Sequence, residues 1–217
     1  GESHSDRVHL ADIDPNRLGL EIWYCQEWGY QHPFHLRDAS TGTLIWGYSG
    51  YLGDNGRAVV ADIDESNPGM EMWSQVSGAL FSVNGENLGP KPESGHWAVW
   101  WDGDLLRETV ENGVITKYNA QTGITDRIGT TLEQRYSERF VGDILGDWRE
   151  ELIYVVPGEM RIYSTVIPSN HRFRTLMHDP LYRNDIAGIS SGWPQYGNLS
   201  FFLGVDMDAP PNPNIVR

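Results

Sequence analysis

The chain has 217 residues, 39% hydrophobic and 21% charged, enough for one sizeable domain or two small ones with a buried core. Asp and Glu number 30 against 16 Lys and Arg, and the resulting formal charge of −14 excludes a nucleic-acid binder acting through a basic footprint. No apolar run approaches the roughly 20 residues of a membrane span, and the single cysteine, Cys25, excludes an internal disulfide framework.

The 24 glycines, 12 prolines and 9 tryptophans suit many short strands joined by tight turns. In chain order, Val8 to Leu10 predicts a strand, an acidic loop follows, and Leu20 to Cys25 predicts a second strand. Ser40-Thr41-Gly42-Thr43 is a turn leading into Leu44 to Trp46. The cycle restarts at Ala58 to Val60, with strands at Met70 to Trp73 and Leu80 to Val83 and a turn at Asn84-Gly85. It restarts again at Trp97 to Trp100, with Leu105 to Thr109, a turn at Asn112-Gly113, and Val114 to Tyr118. A fourth cycle has Phe140 to Val141, Leu152 to Val156, a turn at Pro157-Gly158, and Met160 to Ser164. Ile167 to Gly197 carries Pro168, Pro180 and Pro194 and reads as loop. Leu199 to Val205 predicts one more strand before an extended, proline-rich tail.

These cycles are an internal repeat. Segments 11–23 and 61–73 align without a gap: each opens Ala-Asp-Ile-Asp and closes with Gly, Glu and Trp. A diverged copy runs from Gly142 through Asp143, Asp147 and Glu151, and a fainter one from Trp100 through Asp102 and Asp104 to Glu108. Starts spaced roughly 40–50 residues apart match the length of one four-stranded propeller blade. The expected fold is therefore all-β, with blade-like units at 7–56, 57–97, 98–138 and 139–205 and an extended tail at 206–217. Four units fit a small closed ring, half of a larger one, or an excerpt. Residue 1 falls just before a unit start, which favours an excerpt, and the lack of an initiator Met and signal peptide is expected of a processed or cut chain.

The acidic loops carry the metal expectation. Asp12, Asp14, Asn16 and Glu21 offer oxygens on one tight loop, and Asp62, Asp64, Ser66 and Glu71 repeat them, with Gly19 and Gly69 allowing the bend. Clustered hard oxygens without His or Cys suit calcium rather than zinc or copper. Asp143, Asp147 and either Glu150 or Glu151 form a less regular third set, and Asp102, Asp104 and Glu108 a similar fourth. The ions are expected to neutralise carboxylates and pin loops between units.

Several longer strings resemble one family. Ala11-Asp12-Ile13-Asp14-Pro15, the run from Trp100 to Glu108, Gly142 to Glu151, Arg161 to Thr165, Thr175 to Arg183 and Ser200 to Gly204 are similar to rhamnogalacturonan lyases of polysaccharide lyase family 11. The resemblance implies an eight-bladed, calcium-loaded β-propeller of which this chain is the C-terminal half, the N-terminal half being a missing partner. It implies β-elimination on the rhamnose–galacturonate backbone of pectin, and with it an acidic polysaccharide partner. It also implies a bacterial protein that is secreted, cell-surface or periplasmic. Elimination beside a uronate needs a cation on the carboxylate, a base for the C5 proton and a donor for the leaving oxygen. Arg57, Arg135, Arg139, Arg149, Arg172 and Arg183 are candidate cations.

Residue by residue, Arg57 in Asp54-Asn55-Gly56-Arg57 matches the family's substrate-binding Asp-x-Gly-Arg segment. At the family's catalytic lysine stands Arg135, a poor proton acceptor, and at its catalytic tyrosine stands Trp193, with Tyr196 three residues on. Arg135 and Tyr196 are therefore the candidate catalytic residues, and Arg57 and Trp193 the candidate substrate contacts; Tyr136 is a further candidate acid or base. Three readings stay open: a lyase on rhamnogalacturonan, a lyase on another rhamnose–uronate polymer, and a non-catalytic glycan binder. The tryptophans suit carbohydrate handling, since flat rings stack on sugar faces, and Trp28, Trp193 and Tyr196 lie in loop contexts.

Overall fold

The computed structural model describes residues 4–28, 31–50, 52–93, 97–133, 140–189, 195–205, 207 and 209–212. Four antiparallel sheets follow one another along the chain. The first contains β1 (Val8–Ala11), β2 (Glu21–Cys25), β3 (Phe34–Asp38) and β4 (Leu44–Gly47). The second contains β5 (Ala58–Ala61), β6 (Glu71–Ser74), β7 (Leu80–Phe81) and β8 (Asn87–Gly89). The third contains β9 (Trp97–Val99), β10 (Glu108–Glu111), β11 (Val114–Asn119) and β12 (Ile124–Thr130). The fourth has β13 (Phe140–Gly142), β14 (Glu151–Val156) and β15 (Glu159–Tyr163). Each is a meander in which neighbours in sequence are neighbours in space.

Local chemistry explains the turns. Asn112 and Gly113 both have positive φ, 50° and 77°, the mirror-image turn that a two-residue hairpin between β10 and β11 demands. Every residue of β5, Ala-Val-Val-Ala, is buried, because this strand is covered on both faces. Trp23, Trp73, Trp97 and Trp100 are buried as well and fill the spaces between sheets. One core joins the second, third and fourth sheets, and a second core joins the first and second. Cys25 lies buried in that second core.

The β-propeller expectation is not met. The described residues form four separate antiparallel sheets, packed in sandwich-like fashion, and no closed barrel or propeller. The repeat correctly marks a strand meander about every 40–50 residues, but closure depends on how many sheets stack and at what angle, which no local pattern encodes. A second correction concerns Leu199 to Val205, which is not a strand. Its backbone N–H groups go to side-chain carboxylates: Ser200 to Asp179, Phe202 to Asp12 and Val205 to Asp62. A third is the helix α1 (Pro180–Gly188), in the stretch expected to be loop. Asp179 caps it and Pro180 opens it, so an Asp-Pro pair is the signal the proline count hid. No helix among the described residues is long and apolar enough to cross a membrane.

A buried polar chain runs through the middle of the row. His9 Nε2 donates to the Ala58 carbonyl at 3.0 Å, and its Nδ1 accepts from the Asn198 amide at 3.2 Å. Burial pushes the imidazole down to about 3, so it is neutral in the folded chain. Below its ordinary value of 6.5 the unfolded chain takes up a proton that the fold refuses. The contribution of His9 is thus complete above that pH and falls by about 1.4 kcal/mol per unit as pH drops toward the folded value. Urea titrations should show about 2 kcal/mol lost to this site between about pH 6.5 and 5. His9→Gln should remove that share of the slope; an unchanged slope would show that His9 does not titrate this way.

Candidate functional site

The acidic loops occupy one place in all four sheets, the connection from first to second strand. At the head of each second strand stands a glutamate whose Oε2 accepts two consecutive loop N–H groups. Glu21 accepts from Ile13 and Asp14 at 3.0 and 3.2 Å, and Glu71 from Ile63 and Asp64 at 2.9 and 3.1 Å. Glu108 accepts from Trp101 and Asp102 at 2.9 and 3.1 Å, and Glu151 from Ile144 and Leu145 at 3.0 Å each. Gly19 and Gly69, at φ 110° and 85°, sit just before the first two of these strands.

This shared anchor gives a structural alignment finer than the sequence allowed. Asp14 and Asp64 correspond to Asp102 in the third loop and Leu145 in the fourth. Asp12 and Asp62 correspond to Trp100 and Asp143. Only the first two loops carry both aspartates. Where it is present, the first aspartate uses one oxygen to tie its loop to a distant segment. Asp12 Oδ2 accepts from Phe202 N–H, Asp62 Oδ2 from Val205 N–H and Asp143 Oδ2 from Leu176 N–H, at 3.0, 2.9 and 2.8 Å.

In the fourth loop the expected set is dispersed. Asp143 has both oxygens on backbone N–H groups, of Gly146 and Leu176, and Asp147 pairs with Arg149 at 3.0 Å. Asp143, Asp147 and Glu151 are therefore not drawn to one point. In the first two loops some oxygens remain without a hydrogen-bond partner although buried: Asp12 Oδ1, Glu21 Oε1 and Glu71 Oε1. Arg17 Nε approaches Glu21 Oε1 at 3.4 Å from a more exposed position. Burial holds the Glu71 carboxyl well above its usual range, and Asp62 and Asp64 push it further. Asp14 Oδ1 accepts from Asn16 N–H, and Asp64 Oδ1 from Ser66 N–H and hydroxyl.

A second constellation was missed in the sequence. His4, Asp6 and Glu27 bring ligand atoms within 4.8 Å of one another, with His4 Nδ1 3.1 Å from Glu27 Oε1. His4 and Asp6 precede β1 and Glu27 follows β2, and the antiparallel pairing of those strands brings them together. Gly56 closes against them: a Cβ there would come within 2.6 Å of Glu27 Oε1 and 2.8 Å of Asp6 Oδ2. Arg57 follows directly and is half-buried. Trp28, beside Glu27, has φ 60° and is 59% exposed. No pattern of spacing could have revealed this group, because only the register of the hairpin creates it.

Tyr196 is a correction. It is fully buried, its hydroxyl donates to the Val60 carbonyl at 2.9 Å and accepts from Val60 N–H at 2.7 Å, and His9 stacks on its ring. Burial also pushes the phenol up to about 12. With both hydrogen-bonding roles taken inside the core, it is no proton donor or acceptor for a bound sugar. Arg135, Tyr136, Arg139 and Trp193 lie outside the described residues. Arg172 and Arg183 line a separate cavity of about 480 Å³ with Arg174 and His178.

Residues 1–213 match the C-terminal domain of rhamnogalacturonan lyase family 11. The chain belongs to this family. Rhamnogalacturonan endolyase YesW of Bacillus subtilis is 39% identical over 226 residues, covering 99% of this chain and 36% of the relative. Rhamnogalacturonan exolyase YesX of the same organism is 36% identical over 238 aligned positions, covering 98% and 39%. Among solved structures, the Bacillus licheniformis rhamnogalacturonan lyase PL11 superposes with TM-score 0.92 at 37% identity, over 99% of this chain and 38% of that one. This family 11 C-terminal domain thus spans well under half the length of the relatives it matches. Within it, Arg57 directly follows Gly56, the residue that packs against Glu27 and Asp6.

Proposed function

We propose that this chain is the C-terminal part of a lyase that cleaves the rhamnose–galacturonate backbone of rhamnogalacturonan by β-elimination. The observation that carries the reading is the similarity to an endolyase and an exolyase of that polymer across nearly the whole chain. Arg57, next in the chain to the Gly56 that packs against the His4, Asp6 and Glu27 cluster, supplies a candidate group for the chemistry. A guanidinium can pair with a uronate carboxylate through two parallel hydrogen bonds, which disperses the charge that resists removal of the C5 proton. Trp28 offers an exposed ring face for a neighbouring sugar, and His4, Asp6 and Glu27 offer a cation site beside both.

Calcium is part of the same reading. The donor sets of the first two loops fit it, because they are all oxygen and include buried carboxylate oxygens without a hydrogen-bond partner. Asp14, Asn16 and Glu21 would hold one ion, with Asp64, Ser66 and Glu71 holding another. When bound, the ion neutralises the clustered carboxylates. A substrate of plant cell walls also accords with a bacterial protein that is secreted, at the cell surface or in the periplasm.

The test uses the full-length protein on rhamnogalacturonan, following the ultraviolet absorbance of the unsaturated uronate product. Arg57→Ala should lower kcat/KM by roughly 100-fold or more while leaving the thermal melt nearly unchanged. Retained glycan binding with no absorbance rise in the unmodified protein would instead establish the non-catalytic reading.

A further inference from the structure

The third acidic loop differs from the others in what sits at its centre. Asp102, Asp104 and Glu108 converge, with oxygens within 4.8 Å of one another. The ammonium of Lys117 lies among them, 2.5 Å from Asp102 Oδ2, 2.6 Å from Asp104 Oδ2 and 2.8 Å from Glu108 Oε1. Three charge-assisted contacts use all three donors of a lysine. By the glutamate anchor, these ligands occupy the places of Asp14, Asn16 and Glu21 in the first loop and of Asp64, Ser66 and Glu71 in the second. The glutamate oxygen that Lys117 satisfies, Oε1, is the atom left without a hydrogen-bond partner in Glu21 and Glu71.

Register explains how a lysine enters this loop. Thr109 of β10 pairs with Thr116 of β11, so the next step sets Lys117 opposite Glu108. The position opposite Glu21 is Asp38. Continuing the registers from Met72↔Phe81 and Leu152↔Tyr163 sets Ser82 opposite Glu71 and Ser164 opposite Glu151. Three sheets thus carry an oxygen-bearing side chain where the third carries an amine.

We propose that Lys117 is the resident cation of the third loop, taking the position of a divalent ion and excluding one. An ammonium at these distances fills the space between the carboxylates and cancels the charge that would draw an ion in. The substitution Lys117→Ser restores the residue type found in the second and fourth sheets. It should open a divalent or trivalent ion site.

Terbium(III) is the probe, since Trp100 and Trp101 adjoin the loop and can sensitise its luminescence. Stoichiometry is measured on the full chain in four forms. Lys117→Ser should bind one more ion than the unmodified chain, and Lys117→Ser with Asp102→Asn should lose it. Asp102→Asn alone should leave the stoichiometry of the unmodified chain unchanged, which decides the question even if Lys117→Ser folds poorly. Loss of one ion in that single variant would overturn the proposal, as would equal stoichiometry in a folded Lys117→Ser chain. If the unmodified chain binds no ion and Lys117→Ser binds one, this proposal stands while the calcium reading of the first two loops falls.

Discussion

Arg107→Met is expected to destabilise the chain by about 3–5 kcal/mol. Arg107 is only 2% exposed, and its guanidinium donates to Glu150 Oε2 at 2.9 Å and to the carbonyls of Ala98 and Gly197 at 3.1 and 3.3 Å. It also lies over the rings of Trp100 and Tyr196, at 3.9 and 4.7 Å from their centroids. Glu150 is fully buried, and Trp100 N–H and the Tyr182 hydroxyl also reach it, at 3.1 and 2.7 Å. The cost arises mainly from the carboxylate left behind, since those two donors cannot balance a full buried charge. Arg107→Met with Glu150→Gln should recover a good part of the loss. Urea unfolding of the two single variants and the double variant measures the coupling. A loss below about 1 kcal/mol in the single variant would mean that the pair is not buried as described.

Chelation is expected to have the other large effect, on the calcium reading proposed above. A loop holding an ion at 100-fold its dissociation constant contributes about 2.7 kcal/mol to the folded state. Two such loops should make the melting temperature fall by roughly 10–20 °C when the ions are stripped. Glu71→Gln should lose about half of that response, because it weakens one loop and spares the other. Differential scanning calorimetry with and without a chelator gives the answer. An unchanged melt would leave Glu21 and Glu71 as buried carboxylates that tolerate their surroundings without a metal.

Much of the strand layout was legible because it rests on local chemistry. Val8 to Leu10, Leu20 to Cys25, Ala58 to Val60 and Val114 to Tyr118 fall on β1, β2, β5 and β11 to within a residue or so. The Asn112-Gly113 and Pro157-Gly158 turns sit between the strands they were expected to join. β12 was missed, because Ile124–Thr130 is mostly exposed and shows no apolar face. The propeller expectation failed where local signals end, since stacking and closure are properties of whole sheets. The acidic loops were visible as a repeat, but their oxygens' partners were not. Asp12 and Asp62 bind a segment more than a hundred residues away, and Lys117 enters its loop only through the register of β10 and β11. Tyr196 shows the opposite limit, for a tyrosine in a polar, glycine-rich stretch gives no hint that it will be sealed in the core.

The contacts made by Phe202 and Val205 have a consequence for biosynthesis. They join residues separated by 190 and 143 positions, so the loops that open the first two sheets stay unfinished until residues 202 and 205 have left the ribosome. Ordering those loops early would mean closing very long chain segments without the bonds that reward it. The nascent chain should therefore carry these two sheets in an open, protease-sensitive condition until the segment holding Phe202 and Val205 emerges. Protection should arrive late and for both sheets together, as residues 199–205 emerge.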